Sequence, residues 1–488
     1  MAHPLEPCSH VTRRHLLAQQ GMSLGGLALT WLLHRDGLAL AADKAAGPRK
    51  PDLEKPTFDL RPKTPPRQAR ARAMISLFMQ GGPSHLDLFD PKPELQKSDG
   101  KTFTGEISRD NAGEASARLL ASPWKFIPRG DCGMALSELL PGLGSVADDI
   151  CLVRSMQTGV NNHGQSINAL NTGRITAGRP VVGSWLTYAL GSESDNLPAY
   201  CVLSDPGGVP VLGVDNWSSG WLPGIYQGTV IRPREPRILN LDPPPGLDGT
   251  VQARSLRLLD RINRDHLSEH AGNHDLAARI SSYELAARMQ YAAREALDVS
   301  GESAETKRLY GLEHDDTREY GTRCLIARRL VERGVRYVQV CTGNQDWDHH
   351  GGIAKGLPQM CRKVDGPSAA LVADLKRIGL LDTTVVAWGG EMGRLPVVQN
   401  EKNVGRDHNT HGFSMWLAGG GFKGGHTHGA TDELGLKAVE DVVTHSNYHA
   451  TLLRLFGLDH QTLAFARPGG DGSLVDGQPA KVVDDLLA

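Results

Sequence analysis

Tyr337-Val338-Gln339-Val340, followed by Gly343-Asn344-Gln345-Asp346-Trp347-Asp348-His349-His350, decides how this chain is read. A short strand-like run empties into acids and imidazoles. A second run, Thr383-Thr384-Val385-Val386-Ala387-Trp388, empties into Gly389-Gly390-Glu391-Met392-Gly393-Arg394, and Gly405-Arg406-Asp407-His408-Asn409-Thr410-His411 follows closely. In open parallel α/β sheets ligands bind beyond the carboxyl ends of the strands, so neighbouring strands that end this way predict a site on that rim. The donors on offer are carboxylate oxygen and imidazole nitrogen without cysteine sulfur. That set suits a divalent hydrolase metal, zinc first and manganese or calcium as alternatives, rather than a thiolate structural centre. Asp346, Asp348, His350, Glu391, Asp407, His408 and His411 are the candidate ligands. Each of these residue types is also a common turn former in glycine-rich loops, and it is their recurrence at successive strand ends that argues for a site.

The rest of the chain sets bounds on that reading. A chain of 488 residues can bury a large core as one α/β domain with insertions or as two or three domains. Its net charge of -2 shows neither a nucleic-acid footprint nor a broad basic face for anionic membranes. With 56 Gly and 29 Pro, long loops are expected, which suits a loop-built site. Residues 1–42 read as a twin-arginine export signal: Arg13-Arg14 precedes a weakly apolar, glycine-containing stretch and then Ala39-Leu40-Ala41-Ala42. That stretch is too short and interrupted for a stable membrane span. The expected destination is periplasmic or extracellular, with the twin-arginine machinery as a partner. Residues 43–72 are rich in Pro, Lys and Arg and read as an extended linker. Beyond Cys8 six cysteines remain, widely spaced and without a Cys-x-x-Cys.

Residues 73–488 read as the folded domain. It opens with the buried-strand pattern Met74-Ile75-Ser76-Leu77-Phe78-Met79, then Gln80-Gly81-Gly82-Pro83-Ser84-His85-Leu86-Asp87. Glycines there let the backbone approach a ligand, and His85 and Asp87 add candidate metal ligands, although Ser84 and Asp87 also suit a helix cap. Residues 136–146 show helical apolar spacing and 150–155 a second strand. A helix is expected to start at Asn162 or His163 and to end at Gly173, and its free N–H groups favour an oxyanion beside His163. Asn162 is either part of that site or an ordinary N-cap. Residues 198–202 and 413–418 read as further strands, residues 251–333 as a helical segment, and the tail from Ala464 as a closing strand and loop. His426 and His428 fall on one face of an extended stretch, open to a second metal or to solvent. The aromatic loop carrying Trp217, Trp221 and Tyr226 suits either sugar stacking or the core.

Leu77 to Asp87 with Asp90-Pro91-Lys92-Pro93, Trp347-Asp348-His349-His350, Gly390-Glu391-Met392-Gly393-Arg394, Gly405-Arg406-Asp407-His408 and the stretch Gly419 to Gly435 resemble the domain of unknown function 1501 family. The resemblance covers nearly all of the mature chain. It implies a twin-arginine leader and a relation to the alkaline phosphatase and sulfatase superfamily. It therefore implies an alkaline-phosphatase-like three-layer sandwich with a mostly parallel central sheet, a metal site at the strand ends and a helical insertion. Two departures stand out. Thr172-Gly173-Arg174 matches the end of a sulfatase motif, but the nucleophile position falls near His163 and no formylglycine sequence occurs. The superfamily's first-strand Asp falls near Gln80 and its Asp-His pair near Glu391-Met392, which would weaken a second metal.

The function expected is an exported, metal-dependent hydrolase of phosphate or sulfate esters, small-molecule or polysaccharide. The metal would polarise the ester and activate water. His163 would be nucleophile or general acid, and Arg174 or Arg394 would clamp the non-bridging oxygens. The alternative is a catalytically degenerate exported protein that binds a polysaccharide or a partner enzyme through the aromatic loop.

Overall fold

In a computed structural model the described residues are 58–109, 116–239, 241, 249–467 and 470–488, all within one compact unit spanning Thr57–Ala488. The expected twin-arginine leader and residues 43–57 of the expected linker lie outside them. Residues 58–72 are extended and bound to the body: Lys63 N–H donates to Leu190 O (3.0 Å) and Arg70 N–H to Leu455 O (2.8 Å).

Strands Ala73–Phe78 (β1), Ile150–Gln157 (β4), Tyr200–Leu203 (β5), Thr229–Ile231 (β6), Tyr337–Cys341 (β7), Thr384–Gly389 (β8), Phe413–Ala418 (β11), His426–His428 (β12) and Val443–Thr444 (β15) form one sheet. The order is β12-β4-β11-β8-β1-β7-β5-β6, with β15 also on β4. Phe126–Arg129 with Met134–Ser137 (β2, β3), Gly393–Val398 with Arg406–Asn409 (β9, β10) and Ala430–Thr431 with Ala438–Glu440 (β13, β14) are separate pairs.

β1 pairs in parallel with β7 and β8, β7 with β5 and β5 with β6, whereas β11 is antiparallel to both β4 and β8. β4 therefore runs the same way as β8, and β11 alone is reversed along the sheet path. Its reversal carries Gly419–Gly421 to the rim opposite the site, where a side chain on Gly419 would meet Leu381 O and Thr384 O at 2.2 and 2.5 Å.

Alternate residues of the strands enter two cores, as a sheet buried on both faces requires. Ile75, Leu77, Val338, Val340, Val386 and Trp388 pack with Leu325 and Leu330 of the helix Asp315–Glu332 and Leu371 of the helix Ile353–Arg377. Met74, Phe78, Tyr337, Val385 and Ala387 pack with Ile167 of the helix His163–Thr172, Trp185 of Val182–Leu190 and Leu452 of His445–Leu455. The result is a helix–sheet–helix sandwich. The helical segment expected over 251–333 contains Gly249–Glu269, His274–Leu297, Ala304–Leu309 and Asp315–Glu332.

Two local expectations fail. Residues 136–146 are not one helix: they hold the end of β3 and a single turn, Pro141–Gly144, because Asp365 takes the Gly142 and Leu143 N–H groups (2.6 and 2.8 Å) and fixes the turn against a neighbouring helix. Beyond Ala464 the described tail makes only isolated bridges and a 3-10 turn at Asp484–Leu486.

Candidate metal centre

The carboxyl ends of β4, β7 and β8 supply the cluster. The helix His163–Thr172 starts just after β4, and the side chain of Asn162 caps it by accepting from Gln165 N–H (3.3 Å), which puts His163 in the first turn at the sheet rim. Asp348 and His350 follow β7. After β8 the chain makes the β9–β10 hairpin, whose register sets His408 directly across from Arg394. Asp348 is where these meet. Its Oδ1 lies 3.1 Å from His350 Nε2 and 3.3 Å from His408 Nε2, and its Oδ2 lies 3.3 Å from His163 Nε2. One donor atom each from His163, Asp348, His350 and His408 falls within 4.8 Å of all the others.

The residues behind the cluster orient it. Glu391, fully buried, accepts from Gly81 N–H (3.0 Å) and lies 2.6 Å from His163 Nδ1. Gln399 Oε1 lies 2.7 Å from His350 Nδ1. A ligating imidazole ordinarily donates its second N–H to such a group, which fixes the tautomer and turns the other nitrogen to the metal. Asp407 is buried; its Oδ1 accepts from His408 N–H (2.8 Å) and lies 3.8 Å from His350 Nδ1, while its Oδ2 has no hydrogen-bond partner. His163 Nε2 is likewise buried without a hydrogen bond. Gly81 has φ +108° and a side chain there would sit 2.7 Å from Asp348 N, so only glycine lets β1's loop pass under the site.

The charges are lopsided. Burial would raise the Asp348 carboxyl, but Arg394 and the three imidazoles outweigh it and hold the group far below the carboxylate range. Burial lowers His163, yet Asp348 and Glu391 overcome it and lift the imidazole to about 9. His350 is raised the same way by Asp348 against burial. His408 is lowered by burial, with Arg394 and His163 adding to it against Asp348. With no added cation, His163 thus carries a proton between two carboxylates. A divalent ion fits in its place: three imidazole nitrogens and a carboxylate converge, two buried polar atoms lack partners, and the donor chemistry is that of zinc or a similar ion.

Other expected site residues lie elsewhere, each for a visible reason. Asp346 is held by Gly343 N–H (2.9 Å) and Lys363 Nζ (3.0 Å), not by the cluster. Asp87 makes a buried two-bond pair with Arg406 (2.8 and 3.0 Å) and accepts from Ser84 Oγ. His85 is buried, its Nε2 3.1 Å from Gly435 O, and burial lowers it to about 4, so it serves packing. His411 stands outside the group, its carbonyl accepting from Ala438 N–H. Asn162 is spent on its cap. Arg174 sits beyond the far end of its helix beside Asp476, about 15 Å from His163 at 1.5 Å per residue. Arg394 does reach the site, but as a strut. Its guanidinium donates to Gly81 O, Gly82 O, Arg406 O and Asp348, leaving no fork for a substrate. His163 faces Glu391 with Nδ1 (2.6 Å) and Asp348 with Nε2 (3.3 Å), inside the cluster.

Two rings of the aromatic loop are internal: Trp217 and Tyr226 are buried, while Trp221, half-buried, packs against Trp185 and Phe465. No sugar-stacking face is left on those two rings. Gln399 was not marked by any spacing in the sequence, and the glycine loop at Gly81 was expected to approach a ligand, not to brace Glu391 through its N–H (3.0 Å).

These features define a class, a helix–sheet–helix sandwich with an imidazole and carboxylate cluster at its strand ends. The chain belongs to the family described as "Protein of unknown function (DUF1501)", whose model matches residues 71–487. Among curated proteins no sequence matches. Solved structures similar to it include the PsFucS1 sulfatase from Pseudoalteromonas sp., at 13% identity and TM-score 0.32, covering 80% of this chain and 68% of that one. The lipoteichoic acid synthase LtaP from Listeria monocytogenes shares 9% identity at TM-score 0.33 over 83% and 74% of the two chains. An alkaline phosphatase from the Antarctic bacterium TAB5 shares 9% at TM-score 0.25 over 74% and 93%.

Proposed function

We propose that the protein is an exported hydrolase of phosphate or sulfate esters that works with one divalent cation held by His163, Asp348, His350 and His408. The observation that carries this reading is the convergence of three imidazole nitrogens on both oxygens of one half-buried carboxylate at the rim where parallel strands end. Glu391 and Gln399 turn His163 and His350 so that each offers its Nε2. Arg394 pins Asp348 and the β1 loop to each other. The start of the helix at His163 adds positive potential for an anionic substrate. A bound cation would supply Lewis acidity toward an ester oxygen and toward attacking water. A single ion is favoured because Gln80, where the superfamily resemblance would place an Asp, is buried with its Oε1 accepting from Gln345 N–H (3.2 Å). Export through the twin-arginine route rests on the leader sequence alone. Among the described residues no helix is long and apolar enough to cross a membrane.

The test loads purified protein with zinc, manganese or calcium and assays aryl phosphates, phosphodiesters and aryl sulfates beside elemental analysis. Asp348→Ala and His408→Ala should lose the ion and fall to background turnover, while Asp346→Asn keeps both. Turnover that survives Asp348→Ala, or none with any metal, ends the proposal.

A further inference from the structure

Away from this rim a second group of ligating atoms is assembled from two distant parts of the chain. β12 is a three-residue edge strand whose register sets His426 beside Cys151 and His428 beside Val153, near the start of β4 rather than at its site-facing end. Three strand spacings, about 14 Å, separate it from β8. Strand alternation puts His426 and His428 on one face with Thr427 turned out. Asp485, in the terminal 3-10 turn, meets them there: its Oδ2 lies 2.9 Å from His426 Nε2 and 2.9 Å from His428 Nδ1. The three donor atoms lie within 4.8 Å of one another.

We infer that His426, His428 and Asp485 form a second cation site, structural rather than catalytic, that fastens the end of the chain to the edge of the sheet. Tetrahedral zinc with bonds of about 2.0–2.1 Å needs donors roughly 3.3 Å apart. Opening the two 2.9 Å contacts by a few tenths of an ångström through side-chain rotation meets that need. Lys423 Nζ occupies the other carboxylate oxygen, Oδ1, at 2.9 Å, which fixes the carboxylate and leaves Oδ2 to the ion. His428 is buried at the back of the group, whereas Asp485 is 56% exposed, so the ion enters from solvent and completes its shell with water. Two imidazoles and one carboxylate favour a borderline ion such as zinc, nickel or copper over magnesium or calcium. The segment to be fastened is also held by Lys423 N–H to Leu486 O (2.9 Å), Ala488 N–H to Gly421 O (2.9 Å), Arg70 to Ala488 O and the buried side chain of Leu486, so the ion would add to an existing attachment. Since the unfolded chain does not bring residues 426 and 485 together, a bound ion stabilises the folded state by RT ln(1 + c/Kd), so the effect grows with the free ion concentration c.

Zinc binding and zinc-dependent thermal unfolding of the full chain test this independently of the first site. Asp348→Ala should retain one zinc per chain and unfold at higher temperature when zinc is added. Adding His426→Ala or Asp485→Asn to that background should weaken this remaining binding at least tenfold and remove the zinc-dependent shift. In the otherwise unaltered protein, His426→Ala should lower zinc from two ions to one and leave ester turnover in place. Asp348→Ala without bound zinc or a zinc-dependent shift overturns the inference. So does a remaining ion unaffected by both His426→Ala and Asp485→Asn. One ion that survives Asp348→Ala and disappears with His426→Ala would support this site while removing the one under Proposed function.

Discussion

The helix His163–Thr172 has two ends that resemble each other in composition and differ in chemistry. At its amino end His163 lies between Glu391 and Asp348. At its carboxyl end His449 Nε2 donates to the Leu170 carbonyl (2.7 Å) and Arg174 is taken by Asp476. Both ends gather imidazole, guanidinium and carboxylate, and both obey the helix dipole, with anions at the start and N–H donors at the finish. What separates them is the atom each imidazole meets. A nitrogen set against a backbone carbonyl closes an open end of the helix and has no capacity left for an ion. Nitrogens set against a shared carboxylate form a shell that an ion can enter. The amino end therefore predicts metal affinity and the carboxyl end predicts stability.

The sharpest break between the two comes from Gly173. It caps the helix with φ +80°, and a side chain there would lie 2.0 Å from Leu474 O. Gly173→Val combines a left-handed backbone with a clash and should lower the unfolding free energy by about 3–4 kcal/mol. Urea unfolding of metal-stripped protein measures this, while the fraction that folds should still take up zinc at the Asp348 cluster. Unchanged stability with lost zinc would reverse the assignment of the two ends.

Gln399→Leu probes the amino-end cluster from behind. Removing the acceptor for His350 Nδ1 should weaken metal binding about 10–100-fold, or about 1.4–2.7 kcal/mol, as measured by competition with a chromophoric chelator. Metal-stripped stability should change far less. Equal losses in both would mean that Gln399 only packs.

How much of this could be read in the chain follows from the same contrast. β1, β7, β8 and β11 were legible because strands covered on both faces become apolar runs bounded by glycine, and Asp348, His350 and Glu391 stand just beyond them, whereas Asp407 and His408 lie on β10, a strand that no apolar run marks. The direction of β11 could not, since a buried run reads the same either way. Nor could long-range pairing: nothing in the spacing says that Asp87 will meet Arg406 across 319 residues, or that Lys363 will claim Asp346. Residues 136–146 misled because apolar spacing of three and four is shared by a helix and by a strand followed by a turn, and Asp365, supplied from another helix, decided between them.

Acid and alkali should pull the two ends apart. Burial lowers His449 to about 3, with His445 adding to the effect and its bond to Leu170 opposing it. The unfolded chain takes up that proton near the ordinary imidazole value of about 6.5, so the unfolded state binds more protons between there and about 3. Stability from this residue is complete above about 6.5 and declines as pH falls. Between about pH 7 and pH 6 the decline is only about 0.7 kcal/mol, and His449→Gln, which keeps a donor but cannot titrate, should flatten it. His163 in metal-stripped protein has the opposite sign. Raised to about 9, it binds a proton in the folded state that the unfolded state has released, so its contribution is complete below about 6.5 and disappears as pH rises through about 9. His163→Gln should flatten that alkaline limb and leave the acid limb alone. If each variant altered the other's limb, the carbonyl-bound and carboxylate-bound imidazoles would not be the separate devices that the two ends of this helix make them.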